Sequence, residues 1–133
     1  MAPRFLPGSA QPGFHPRAHP GFGVRGEADA ALLALFAAAL DERIRAAVCV
    51  DMLSSYRGSA GFVQPDWVFP RNILRVCDLP DLARLIAPRT LIVMNPQDGA
   101  GQDADPAPLL RGEGSCIAQD FDEAVAKLCA AIR

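Results

Sequence analysis

The stretch from Leu79 to Gly101, LPDLARLIAPRTLIVMNPQDGAG, constrains this chain more than any other part of it. Leu82, Leu85 and Ile86 recur at helical spacing, and Asp78 or Asp81 stands where a helix start needs a capping carboxylate. Pro88 disfavours helical geometry at Ala87, so the helix is expected to stop there. Thr90 to Met94 is then an unbroken apolar run, partly β-branched and bounded by Pro88 and Asn95-Pro96, which predicts a strand buried on both faces. Asn95, Pro96, Gln97, Asp98 and Gly99 are turn formers. Asp98 is therefore expected just beyond the carboxyl end of the strand, either as a residue that merely makes the turn or as a group at the edge where open α/β sheets bind ligands.

A second run, Ile44 to Val50, has the same character, and the helix expected from Glu27 to Leu40 is apolar nearly all round, as a helix covered on more than one side would be. Asp41-Glu42-Arg43 forms a charged turn between them. Asp51 to Pro70, with Tyr56, Trp67 and two phenylalanines, reads as a long loop that is either functional or an insertion packed over the sheet, and Arg71 to Cys77 as a short helix. Ser115 to Ala118 is a short strand candidate. Asp120 to Ile132 places Phe121, Ala124, Val125, Leu128, Cys129 and Ile132 on one side of an amphipathic helix. This order predicts an α/β domain, a small parallel sheet flanked by helices, over residues 23–133. Residues 1–22, where five of the twelve prolines fall, form an irregular or disordered arm in this reading.

Composition closes several routes. With 133 residues, half of them apolar, the chain has the size of one domain. A net charge of -2 with no basic cluster argues against nucleic acid. The most apolar stretch, Ala28 to Leu40, falls short of the roughly 20 residues that cross a bilayer. With no signal-peptide pattern at the N-terminus, a cytoplasmic location is expected. Cys49, Cys77, Cys116 and Cys129 lack zinc-ligand spacing and read as buried, reduced thiols. His15 and His19 are each followed by proline, so they cannot form an i, i+4 metal pair on a helix. Neither metal nor cofactor is expected.

Four segments in order carry a resemblance: Ala37 to Val48 (AAALDERIRAAV), Leu53-Ser-Ser-Tyr56, Asp78-Leu-Pro-Asp-Leu-Ala83 and Ala87-Pro-Arg89. Together they resemble the C-terminal half of an α/β-hydrolase, of the acetyl xylan esterase and dienelactone hydrolase-like group, over about residues 23–133. In that family a serine on a G-x-S-x-G turn precedes the first of these helices. The resemblance implies that Val24-Arg-Gly-Glu-Ala28 is the equivalent turn, with Gly26 at the nucleophile position. It implies Asp98 as the triad acid and Gln119, in Gln119-Asp120-Phe121, at the position of the base histidine. Gly26 offers no nucleophile and Gln119 no titratable base, so of the triad only Asp98 remains.

Substitutes are few. Ser54, Ser55 and Ser115 have no adjacent base, and Cys116 has no setting that would lower its pKa. Glu27, Asp51 and Asp98 would form a carboxylate group if they met at one edge. The resemblance implies a carboxylic or acetyl ester hydrolase relative with little or no activity. The alternatives are an active esterase using non-standard residues, a non-catalytic interaction module, or a fragment of a larger carbohydrate-active protein. An acyl-ester or carbohydrate ester is the implied ligand. Unpaired sheet edges imply self-association, or pairing with a missing N-terminal half.

Overall fold

A computed structural model describes residues 21–58 and 61–133. Four strands, β1 (Phe22–Glu27), β2 (Ile44–Val50), β3 (Thr90–Met94) and β4 (Ser115–Ile117), form one parallel sheet in the order β1-β2-β3-β4. The helices are α1 (Asp29–Leu40) between β1 and β2, α2 (Leu79–Ile86) before β3, and α3 (Phe121–Ala131) after β4. The α/β arrangement expected from the sequence is present. β1 was not foreseen as a strand: it begins within the segment read as an irregular arm, whose first twenty residues lie outside those described, as do His15 and His19.

The alternation of side chains along the central strands assigns a helix layer to each face of the sheet. Ala47, Cys49, Leu91 and Val93 join α1 and α2 in the larger core. Val48, Val50 and Ile92 meet Ala118, Ala124 and Leu128 on the other side, under α3. Leu91, Ile92 and Val93 are each 0% exposed, as a strand covered on both faces requires. α1 departs from expectation. Ala31, Leu32, Ala34, Leu35 and Ala38 are buried, but Leu33 and Leu40 are 65% and 79% exposed, so the helix is covered on one broad side only. Leu85 of α2 is likewise exposed, the buried stripe being Leu79, Leu82, Ala83 and Ile86. The helix expected over 71–77 shrinks to a 3-10 turn, Ile73–Arg75.

Two polar side chains join segments far apart in sequence. Asp78, 6% exposed, caps α2 by accepting the Leu79 N–H at 2.8 Å. It also accepts the Tyr56 N–H at 2.7 Å and the Ser55 hydroxyl, while Asp81 accepts the Asp78 N–H at 2.9 Å. The loop after β2 is thereby tied to the start of α2, and Ser55 has a structural role. Arg89 donates to the carbonyls of Ala38, Asp41 and Ile44 at 2.7, 3.1 and 2.8 Å. These include carbonyls left open where α1 ends, so one guanidinium closes the helix and fixes the start of β2. The co-occurrence of the LDERI and APR segments thus has a physical cause.

Among the described residues no helix is long and apolar enough to cross a membrane. The four cysteines are free. Burial pushes the Cys49 thiol up to about 12. Cys77 and Cys116 are half-buried, and Cys129, expected inside, is exposed because α3 buries only Ala124 fully.

Candidate functional site

The carboxyl edge of the sheet is built from three strand ends in register. Glu27 pairs with Val50 and Val50 with Met94, so the residues that follow, Ala28, Asp51 and Asn95, stand in a row. All three have positive φ, at 53°, 52° and 49°. The row is held by the Ala28 N–H on the Val50 carbonyl (2.9 Å), the Asp51 N–H on the Met94 carbonyl (3.0 Å) and the Asn95 amide on the Asp51 carboxylate (2.6 Å). Asn and Asp accept left-handed geometry readily, whereas alanine does so only under constraint.

The constraint on Ala28 comes from its position between a strand and a helix. Its φ of 53° and ψ of -119° are those of the first central residue of a type II′ turn, a glycine-favoured conformation. The chain reverses there and enters α1 at Asp29. Gly26, which the resemblance puts at the turn, lies within β1, buried and paired with Cys49. A Cβ at Gly26 would come within 2.1 Å of the Ala30 carbonyl oxygen, so the close approach of strand to helix requires glycine at that position. The chain turns at Ala28, two residues after Gly26.

Beside this row a cleft of about 600 Å³ opens on the α3 face, within the range of small-molecule sites. Glu27, Asp51, Asn95, Asp103, Gln119 and Phe121 are among its walls. β4 is three strands from β1, or about 14 Å. Nevertheless Phe121, the first residue of α3, lies under Arg25 of β1 with the guanidinium 5.0 Å from the ring centroid. The segment carrying Gln119 thus crosses the sheet edge toward β1. Gln119 is exposed, and its N–H donates to Glu123, whose carboxyl is held below its usual range by Lys127 and by that bond.

Asp98 is exposed and does not line the cleft. One carboxylate oxygen accepts the N–H groups of Ala100 and Gln102, both at 2.9 Å, and so closes the turn after β3. Of Glu27, Asp51 and Asp98, the first two reach the cleft; Asp103 takes the third place. Asp103 went unnoticed because its position follows from the fold of the 95–103 loop, where Gln97 bridges to it. Arg25 partly offsets these carboxylates through a 3.3 Å contact with Glu27.

Among the described residues the cleft wall contains no hydroxyl, thiol or imidazole side chain, and its charged groups are the carboxylates of Glu27, Asp51 and Asp103 and the guanidinium of Arg25. Ser115 and Cys116 are in β4, away from it. Among the described residues no group of three or more His, Cys, Asp and Glu side chains is placed to hold a metal ion. Compared with known proteins, the chain matches no family model, no curated protein and no solved structure.

Proposed function

We propose that this chain is an α/β-hydrolase-like protein, related to carboxylic and acetyl ester hydrolases, whose nucleophile and base positions are empty of chemistry. The observation that carries this reading is Ala28: a non-glycine residue at φ 53° and ψ -119°, on a strand-to-helix turn at the carboxyl edge of a parallel sheet. A nucleophile elbow has this construction, a strained turn that lifts one side chain above the sheet. The register then runs Gly26-Glu27-Ala28-Asp29-Ala30 over G-x-S-x-G. The crowding at Gly26 supports it as the first glycine, and Ala28 replaces the serine. Asp98 after β3 and Gln119 before α3 follow in the chain order acid then base.

An alanine methyl cannot attack a carbonyl, and a glutamine amide takes up no proton near neutral pH. What remains is a cleft suited to hold a polar ester or carbohydrate-like ligand, with no serine or cysteine on its described wall to form an acyl-enzyme. Among the described residues the outer edge of β1 is open, which supports pairing with a second copy or with further strands. Incubation of the purified chain with p-nitrophenyl acetate tests the reading. No release of nitrophenol above the buffer rate is expected; turnover abolished by Asp98→Ala would overturn it.

A further inference from the structure

On the α1 side of the Ala28 turn lies a second hollow of about 170 Å³, which shares no wall residue with the cleft. Phe36 of α1 and Tyr56 and Trp67 of the following loop supply three aromatic side chains, and Leu32 and Val68 add apolar surface. Tyr56 is fixed: it is 4% exposed, its hydroxyl donates to the Val68 carbonyl at 2.8 Å, and its ring stands 5.3 Å from Phe69. Trp67, 65% exposed, forms the outer wall. Asp29 is the one charged residue of the lining, no basic side chain accompanies it, and its carboxylate enters no ion pair among the described residues.

We propose that this hollow binds a compact alkylated ammonium ion, with the aromatic faces against its methyl groups and Asp29 balancing its charge. Aromatic rings attract a cation through their quadrupole, and this recognition strengthens as water is excluded. Size agrees. A tetramethylammonium head of five heavy atoms, at about 30 Å³ each by analogy with liquid water, fills about 150 Å³. A neutral apolar guest would strip water from Asp29 and return nothing to it. A primary ammonium needs several acceptors for its N–H groups, and the wall offers the Asp29 carboxylate alone among charged acceptors. The start of α1 contributes only about half a positive charge, which the full charge of Asp29 exceeds. The proposal is independent of the hydrolase reading.

Trp67 is the only tryptophan of the chain and reports on its own pocket. At constant ionic strength, tetramethylammonium chloride and choline are expected to change Trp67 emission saturably. The uncharged choline isostere 3,3-dimethylbutanol is expected to bind at least about tenfold more weakly. Asp29→Asn, with an unchanged circular dichroism spectrum, is expected to weaken choline binding by about tenfold as well. No saturable change with either cation, or equal binding of the neutral isostere by the unaltered chain, would overturn the proposal whether or not the variant folds.

Discussion

Ala28 holds a backbone conformation in which glycine would be relaxed, and strain of this kind costs of order 1–3 kcal/mol. Ala28→Gly is therefore expected to stabilise the fold by about 1 kcal/mol, after the entropy that glycine adds to the unfolded chain. A rise of about 4 °C in the thermal midpoint would register it, whereas a fall would show that Ala28 is unstrained. Asp41 gives a pH signature. Its hydrogen bonds to Arg43 lower its pKa to about 2 from 3.8. Because the folded value is depressed, the associated stabilisation is present above the ordinary carboxylate range and is lost as pH falls from 3.8 through about 2. A carboxyl carbon titration by NMR is expected to give a midpoint near 2, returning toward 3.8 in Arg43→Ala; an unaltered midpoint near 3.8 would contradict the assignment.

The elements were unequally legible in the sequence. β2 and β3 could be read from their apolar runs, and α2 from its capping carboxylates and the proline after it, because these signals are local. β1 was hidden: Phe22-Gly-Val-Arg-Gly-Glu27 carries two glycines and two charges, and it is extended because β2 pairs with it. The register of the turn at Ala28 was hidden for the same reason, since the contact that demands glycine at position 26 is with α1. The edge location of Asp98 was legible, but its carboxylate turns into its own loop. Arg89 shows how distant segments are coupled. Its three bonds to carbonyls hold the end of α1 and the entry to β2, so Arg89→Met is expected to cost about 2–4 kcal/mol in urea unfolding. Arg89→Lys is expected to recover part of this, because all three bonds come from one guanidinium nitrogen and an ammonium also carries three N–H donors on one atom. A loss below about 0.5 kcal/mol would place the junction's stability elsewhere.

At the scale of the whole molecule, two cores of unequal size lie on either side of a four-stranded sheet, and β1 forms an open edge among the described residues. A parallel sheet of this size with an unpaired six-residue edge favours association. Gel filtration is expected to show species larger than the 14.2 kDa monomer, growing with concentration; a concentration-independent monomer would count against pairing through β1. The carboxyl edge is the other whole-molecule feature, because the cleft exists only where β1, the loop after β3 and the start of α3 converge. The proposed relation to ester hydrolases rests on the register of one turn, and that register is open to direct measurement. The hydrolysis rate of p-nitrophenyl acetate is to be compared for two double variants, Ala28→Ser with Gln119→His and Gly26→Ser with Gln119→His. A gain of turnover over the unaltered chain is expected in the first alone. Turnover in the Gly26 variant alone, or in neither, would contradict it.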